Sequence, residues 1–194
     1  MASSDVDAVK RLWQTRFGGD PSTQTNWIEA ALAPAHSATA IVAVSSADNV
    51  VVGFTMLEVG GPHYTRRYLS LNALDLTPDL TNRNGIFHLS CVRADWEGRG
   101  VGSAFYEKRL ALLADRNVAR AYGIAWHRPH TTDSHALFEK YGFTCLSTID
   151  RYYDRFEDRP HCPDCPGPCT CTASLFARTI ETNDAPANTT GSRS

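Results

Sequence analysis

A strand that breaks into a glycine-rich turn and continues as a helix is the feature that most constrains the fold of this chain. The run GIFHLSCVR (85–93) predicts the strand, EGRGVGS (97–103) the turn, and AFYEKRLALLADRN (104–117) the helix. A second strand, VARAYGIAWH, follows over 118–127. Strands joined through a helix lie parallel in one sheet, with a right-handed crossover. The sequence therefore predicts an α/β domain with a partly parallel sheet.

Hydrophobic periodicity and turn residues predict the remaining elements. In chain order these are helices over 5–17 and 24–33, a hairpin of TAIVAVSS and NVVVGFTMLEV, a functional loop over 60–84, a helix over 133–141 closed by Gly142, and the strands FTCLSTIDRYY and CTASLFARTI. The 194 residues are enough for one domain with its own core. We expect the domain to span residues 1–180 and a disordered tail to span 181–194.

The glycine turn has the composition of a phosphate-binding loop. Glycines at 98, 100 and 102 let the backbone approach a ligand closely. Free N–H groups at the start of the next helix, together with the helix dipole, favour an anion. The alternative is that the glycines only permit tight packing of strand and helix. The spacing matches neither the nucleotide-triphosphate loop nor the dinucleotide fingerprint, so neither ATP nor NAD is favoured.

Two motifs resemble those of the GNAT superfamily of acyl-CoA N-acyltransferases. That family carries (R/Q)-x-x-G-x-(G/A) after a strand, and the corresponding positions here are Glu97, Gly100 and Gly102. About 30 residues later SHALFEKYGF is similar to the family's A-x-x-L-Y-E-K-x-G-F. The order of elements over residues 5–180 also matches. The resemblance implies a mixed, mostly antiparallel sheet with helices on both faces and a V-shaped splay between two parallel central strands.

The resemblance implies acetyl-CoA as the cosubstrate, bound in that splay. Its pantetheine arm would pair with the backbone near Cys91 and Val92, and an N–H near Val92 would hold the oxyanion. Its pyrophosphate would lie on the turn and helix start, formed by Glu97, Gly98, Arg99, Gly100, Val101, Gly102 and Ser103. Phe138 completes the predicted cofactor site. It stands where the family most often has a tyrosine that protonates the leaving thiolate, and Glu97 stands where Arg or Gln is usual.

The catalytic residues are predicted from position and residue type. An amine needs a general base, and His88 lies on the strand leading into the turn. It shares strand parity with Ser90 and Val92, which would let it face the splay. His127 and His130 are further base candidates, although each histidine could be structural. For the acid we predict Tyr141, one turn from Phe138, or Tyr152. In the dipeptide Tyr152-Tyr153 the chain resembles family members that acetylate protein N-termini.

A cluster of cysteines lies between the last two predicted strands. The sequence HCPDCPGPCTC places Cys162, Cys165, Cys169 and Cys171 within ten residues. Four thiolates suffice for a closed tetrahedral zinc site without an open position for water, so we predict a structural zinc. The alternatives are a disulfide pair or thiols without a metal, and His161 could replace one thiolate.

Charge and hydropathy limit the partners. The net charge of −2 argues against a dedicated nucleic-acid binder, and no apolar run is long enough to span a membrane. We therefore expect a cytoplasmic monomer or homodimer, whose partner is an amine on a small molecule, a protein or a peptide. Two other functions stay open: a GNAT-fold module that binds CoA without catalysis, and a zinc knuckle for nucleic acid.

Overall fold

The computed structural model describes residues 1–18, 21–33, 37–128, 134–155 and 164–181. Over these residues the helices are α1 (Val6–Phe17), α2 (Pro21–Leu32), α3 (Pro62–Tyr68), α4 (Val101–Asp115) and α5 (His135–Lys140). The strands are β1 (Ala38–Val44), β2 (Val51–Gly60), β3 (Asn84–Val92), β4 (Arg120–His127), β5 (Thr144–Ile149) and β6 (Thr172–Thr179). Short 3-10 helices occur at Ser3–Asp5, Ala94–Trp96 and Tyr152–Arg155.

The six strands form one sheet in the order β1-β2-β3-β4-β6-β5. Strands β3 and β4 are parallel, because α4 carries the chain across the sheet between them, and the other neighbouring strands are antiparallel. The predicted mixed, mostly antiparallel sheet is thus confirmed.

Helices cover both faces of this sheet. On one face α1 and α2 pack against β2 and β3 through a core that includes Val9, Trp13, Ile28, Phe54 and Cys91. The opposite face carries α4 and α5 over a second core cluster, which includes Leu57, Phe87, Tyr106, Leu113, Phe138 and Phe176. A third cluster brings the residues after α3 against β4 and β6, and includes Leu69, Leu71, Tyr122, Tyr152 and Leu175. The ends of β3 and β4 are therefore enclosed from both sides.

Three of the differences between the predicted and the observed elements have a local cause in the chain. The segment 60–84 contains α3, which begins with Pro62 at its first position, where a missing N–H costs nothing. Helix α2 begins at Pro21 and not at 24, because proline is favoured at the first position of a helix. The strand predicted through Tyr153 ends at Ile149, because Arg151 takes a φ of 52° that a strand does not accommodate.

The predicted tail from 182 onward lies outside the described residues. Within the described ranges, no helix has the length and apolar character needed to cross a membrane.

Candidate active site

The parallel strands β3 and β4 separate halfway along their length. Their pairing runs from Asn84 with Arg120 to Phe87 with Gly123 and then stops. Beyond that point β3 pairs with β2, and β4 pairs with β6. The facing edges of residues 88–92 and 124–127 are therefore not paired with each other. This confirms the predicted V-shaped splay, which opens toward the glycine turn.

The register of β3 shows which backbone groups face this opening. Arg93 donates its N–H to the carbonyl of Val52, at 2.8 Å, so that residue bonds toward β2. Hydrogen bonding alternates along an antiparallel strand. Val92, opposite Gly53, therefore directs its N–H and C=O toward β4, and Cys91 directs its own toward β2. The backbone of Val92 borders the splay and that of Cys91 does not, and the cofactor contact predicted for both residues stays a prediction.

The closed end of the splay rests on Phe138. This α5 side chain is 2% exposed and packs under the point where the strands part. A Cβ at position 123 would lie 2.4 Å from Phe138 Cζ, so the approach requires glycine there. Phe138 thus fills the position of the family's tyrosine with an apolar ring that fixes the vertex.

The glycine turn leaves room for a ligand. Gly98 and Gly100 have φ of 71° and 84°, which favour glycine, and a Cβ at either position would meet no atom within 4 Å. Gly100 is the N-cap of α4, and the first bond inside the helix is from the Ala104 N–H to its carbonyl. The N–H groups of residues 101–103 therefore have no acceptor within the helix. The sequence predicts a pyrophosphate at these N–H groups, and that role stays a prediction.

The other residues of the turn differ in what they contact. Gly102 is a packing position, because a Cβ there would lie 3.1 Å from Leu137 Cδ1. The guanidinium of Arg99 lies over the Trp96 ring, 5.0 Å from its centroid, and Lys140 donates to the Ser103 hydroxyl at 3.0 Å. Two cations thus flank the start of α4, where Val101 is the first helical residue.

Glu97 is engaged with the first helix. Its Oε1 accepts a hydrogen bond from Arg16 Nη2 at 2.5 Å, and α4 has no side-chain cap. The carboxylate therefore does not cap α4, and its charge is balanced by Arg16. Neither partner of this pair was apparent from the sequence, since the two residues are 81 positions apart.

A buried acid–histidine pair lies beside the point where β3 and β4 part, on the α1–α2 face of the sheet. His88 follows Phe87, the last residue of β3 that pairs with β4, and its Nε2 is 2.8 Å from Glu58 Oε2 on β2. The side chains are 3% and 15% exposed, respectively. Trp27 and Tyr68 contact the imidazole edge-on, with ring centroids 4.7 and 4.3 Å away. These rings hold the imidazole in place.

Glu58 is held ionised by its neighbours. Tyr64 donates to Oε2 at 2.6 Å, and Ser37 donates to Oε1 at 3.0 Å. Burial alone would raise the pKa of Glu58, but the hydrogen bonds from His88 and Tyr64 outweigh it and lower that pKa. Burial, with the Glu58 charge, raises the pKa of Tyr64, so its phenol stays protonated. The sequence alone gave Glu58 no predicted catalytic role.

His88 reaches this position through a β-bulge. Thr55 pairs with Ser90 and Leu57 with Phe87, so β3 has one more residue than β2 between the two pairs. The predicted parity of His88 with Ser90 and Val92 is therefore wrong, because a bulge shifts the alternation of side chains. His88 instead shares the α1–α2 face with Cys91.

Cys91 is a core residue. It is 3% exposed, and its Sγ lies 3.7 Å from the carbonyl of Leu12 in α1. Burial raises the pKa of its thiol to about 12, so the thiol stays protonated at neutral pH. It is not an activated nucleophile.

The two predicted tyrosine acids have structural surroundings. Tyr141 follows α5, stacks on Tyr106, and donates its hydroxyl to Glu107 at 2.7 Å on the exposed side of α4. Tyr152 is 1% exposed within the cluster of Leu69, Leu71, Tyr122, Ile149 and Leu175. The catalytic assignment of both stays a prediction.

The further histidine candidates lie apart from His88. His127 Nε2 is 2.8 Å from the Ser174 hydroxyl, and its ring is 5.3 Å from that of His135 at the start of α5. His127 therefore lies on the α4–α5 side of the sheet. His130 is outside the described residues.

A buried tyrosine and arginine lie beside Phe138 and were not predicted. The Tyr106 ring contacts Phe138 edge-on at 5.3 Å, and its hydroxyl lies beside Arg109 and Ser134. Arg109 is 1% exposed, with its guanidinium over the Phe87 ring, 4.0 Å from the centroid. Burial raises the pKa of Tyr106 and lowers that of Arg109 to about 10, so both stay protonated at neutral pH. The sequence feature that could have indicated this burial is the spacing of Phe105, Tyr106 and Arg109 on one helix.

The cysteine loop lies at the start of β6, next to the end of β4. The structure brings together three of the four predicted ligands, Cys165, Cys169 and Cys171. Cys162 and His161 lie outside the described residues.

Comparison with known proteins identifies the family. A model described as the acetyltransferase (GNAT) family matches residues 6–143, and the chain belongs to this family. No curated protein sequence matches the chain significantly.

Among solved structures, Arabidopsis thaliana NAA60 in complex with acetyl-CoA is similar, with a TM-score of 0.66, 12% identity, and coverage of 93% of this chain and 96% of that one. The same plant protein with a bisubstrate analogue gives a TM-score of 0.65 at 12% identity, covering 93% and 95%. The ribosomal-protein-S18-alanine N-acetyltransferase of Escherichia coli gives a TM-score of 0.60 at 16% identity, with coverage of 97% of this chain and 94% of that one. At these identities the likeness shows the fold.

Proposed function

We propose that this protein transfers an acetyl group from acetyl-CoA directly to a primary amine. The observation that carries the proposal is the splay of β3 and β4 ending at an open glycine turn, with the Glu58–His88 pair beside the point where the strands part. The thioester would lie in the splay, the pyrophosphate at the glycine turn, and the amine beside the Glu58–His88 pair. Holding amine and thioester in attack geometry is worth about 7–11 kcal/mol in intramolecular reactions.

The Glu58–His88 pair is the proposed proton acceptor. An amine is mostly protonated at neutral pH and must lose a proton to attack. The 15% exposure of Glu58 leaves its carboxylate within reach of the ammonium group, whose proton it would accept as the N–H bond breaks, and His88 at 2.8 Å would hold that carboxylate in position. A positioned general base typically contributes about 10²–10⁴-fold to the rate.

The proposed oxyanion donor is the N–H of Val92. It points toward β4 at the open part of the splay, where the thioester carbonyl would lie. Removal of one such donor from other enzymes costs about 2.7–4 kcal/mol. The donor belongs to the backbone, so it does not depend on a side chain.

Tyr106 is the proposed proton source for the leaving thiolate. Phe138 has no hydroxyl, and the Tyr106 ring contacts Phe138 directly, with a phenol that burial keeps protonated. Tyr106→Phe should then lower kcat about 10-fold or more if general acid catalysis is used. The matched control Tyr141→Phe removes a hydroxyl that contacts Glu107 and should change kcat less than twofold, on the order of surface effects. Equal kcat values in the two variants would assign this proton to solvent.

The acceptor is left as a primary amine of a small molecule or of a protein or peptide. One similar structure is named as an N-acetyltransferase of the alanine of ribosomal protein S18, and another as a nourseothricin acetyltransferase. Both acceptor types therefore belong in the test.

The deciding experiment is an acceptor screen with acetyl-CoA. Peptides with free N-termini, lysine peptides, polyamines and amino acids would be read by free-thiol release, with product mass as confirmation. We expect turnover with at least one class and its collapse in Gly100→Glu, which places a carboxylate in the open turn. Saturable acetyl-CoA binding without thiol release from any acceptor would favour the non-catalytic CoA-binding module.

The base is tested by an isosteric substitution. Glu58→Gln keeps the shape but removes the charge, so kcat/KM should fall about 10²-fold or more. Glu107→Gln is the matched control, since that carboxylate bonds to Tyr141 on the exposed side of α4. An unchanged rate in Glu58→Gln would contradict the assignment.

A further inference from the structure

Three cysteine sulfurs converge in the loop before β6. The Sγ atoms of Cys165, Cys169 and Cys171 all lie within 4.8 Å of one another. Those of Cys165 and Cys171 are 3.6 Å apart, well beyond the disulfide length of about 2.05 Å. A tetrahedral zinc with Zn–S bonds of about 2.3 Å places its sulfur ligands about 3.8 Å apart. The observed separation fits two ligands of one metal ion, and it is also the distance of two thiols that share a hydrogen bond.

The loop around these sulfurs is constrained. Cys171 is 6% exposed, and its carbonyl accepts the N–H of Tyr152 at 3.2 Å. The Thr170 hydroxyl lies 3.7 Å from Cys165 Sγ, close enough for a weak hydrogen bond to a thiolate. Pro166 and Pro168 restrict the backbone between the ligands. A constrained loop loses less conformational freedom when a metal binds than a flexible loop does.

The same loop is attached to the wall of the splay. Asp164 forms two hydrogen bonds with Arg128, one of them from Nη2 at 2.7 Å, and the two side chains are 15% and 10% exposed. Arg128 Nη1 also donates to the carbonyl of Arg16 at the end of α1, at 2.8 Å, and its guanidinium lies over the Trp126 ring. The cysteine loop is thereby tied to β4 and to α1.

We infer that this loop binds one zinc ion through the thiolates of Cys165, Cys169 and Cys171, and that the ion holds Asp164 against Arg128. The fourth ligand predicted from the sequence is Cys162, which lies outside the described residues. Each thiol that binds gives up its proton to solvent, and no oxidation or reduction is involved. None of the three described ligands lies on β3 or β4, so the ion's role is structural, and the inference does not depend on acetyl transfer.

Metal content of the intact chain is the first test. Protein purified with reductant and without chelator should carry one zinc per chain by native mass spectrometry and elemental analysis. Cys165→Ser and Cys169→Ser, at half-buried positions, should lose it. Cys145→Ser, at an exposed position on β5, is the matched control and should keep it. Iron with sulfide, a mass lower by the hydrogens of a disulfide, or no metal in reduced wild-type protein would each overturn the inference.

Reversible chelation separates metal loss from misfolding. Removing zinc from wild-type protein with a chelator should lower Tm, and adding zinc back should restore it, with no such change in Cys165→Ser. A Tm that does not respond to chelation would overturn the structural role.

Cobalt substitution tests the ligand set. Co²⁺ added to the zinc-free protein should give the absorption of a tetrahedral site with sulfur-to-cobalt charge transfer, and Cys162→Ser should weaken that band. An octahedral spectrum in wild-type protein would overturn the site. An unchanged band in Cys162→Ser would overturn Cys162 as the fourth ligand.

Discussion

Alanine substitution at two neighbouring glycines should separate the binding turn from its supporting packing. Gly100 has a φ of 84° and open space where a Cβ would be, whereas Gly102 has an ordinary φ and faces Leu137 at 3.1 Å. Gly100→Ala therefore introduces backbone strain without a collision. Gly102→Ala introduces a mild contact with a flexible methyl group inside a helix that favours alanine over glycine.

The strain at position 100 sets the size of the effect. A non-glycine residue in the left-handed region costs about 1–2 kcal/mol. If the free protein retains the turn, that cost lowers stability, and Tm falls by about 2–8 °C for a chain of this size. If the free turn relaxes, binding must restore it, and the affinity for acetyl-CoA falls by about 5- to 30-fold. Gly102→Ala should change Tm by less than about 3 °C, because a gain of up to about 1 kcal/mol in helix propensity offsets the contact.

The assay measures both quantities on the same preparations. Calorimetric titration with acetyl-CoA gives Kd, and a thermal melt without ligand gives Tm. Gly100→Ala should weaken acetyl-CoA binding, lower Tm, or do both. Gly102→Ala should do neither beyond the small change in Tm given above. The reasoning fails if Gly100→Ala matches wild type in both, or if Gly102→Ala weakens binding as much as Gly100→Ala does.

Three further predictions concern single side chains. The pKa of Glu58 is lowered in the folded protein, so its ionised carboxylate stabilises the fold relative to Glu58→Gln. This stabilisation is fully present above the ordinary glutamate pKa of about 4.3 and is lost as the pH falls through the lowered native pKa. Denaturant unfolding at several pH values measures the difference in stability. Glu97→Gln should lower Tm by no more than about 4 °C, since its pair with Arg16 is partly exposed, and should not weaken acetyl-CoA binding by titration. Iodoacetamide at pH 8 should label Cys145 and leave Cys91 unlabelled in a peptide map, because burial keeps the Cys91 thiol protonated.

The sequence predicted those parts of the site whose residues are consecutive in the chain. The strand, glycine turn and α4 follow one another in the chain, and φ values of 71° and 84° at Gly98 and Gly100 are what glycine there indicates. The parallel pair followed from the helix between its strands. By contrast, α3 was missed because a seven-residue helix opened by Gly-Gly-Pro has too little periodicity to stand out.

The acid–histidine pair could not be read from the sequence for a different reason. Glu58 and His88 are 30 residues apart, on neighbouring strands, and a bulge in β3 places His88 on the face of Glu58 while Ser90 lies on the other face. Strict alternation places His88 with Ser90 and Val92. The bulge has no residue signature of its own here, so its position required coordinates.

Tyr106 and Arg109 escaped prediction because their burial depends on packing around Phe138. A tyrosine and an arginine three residues apart on a helix are ordinarily exposed polar residues. Here the α4–α5 contact encloses both.

The contacts of Arg16 bear on which residues relatives should carry at the first position of the glycine motif. Its guanidinium bonds to Glu97, and its carbonyl accepts from Arg128. The acidic residue at the motif's first position therefore has a compensating partner in α1. A relative that retains the usual arginine at the position of Glu97 would bring two like charges together if it also kept arginine at the position of Arg16. We expect these two positions to covary, with acidic and basic residues exchanged as a pair.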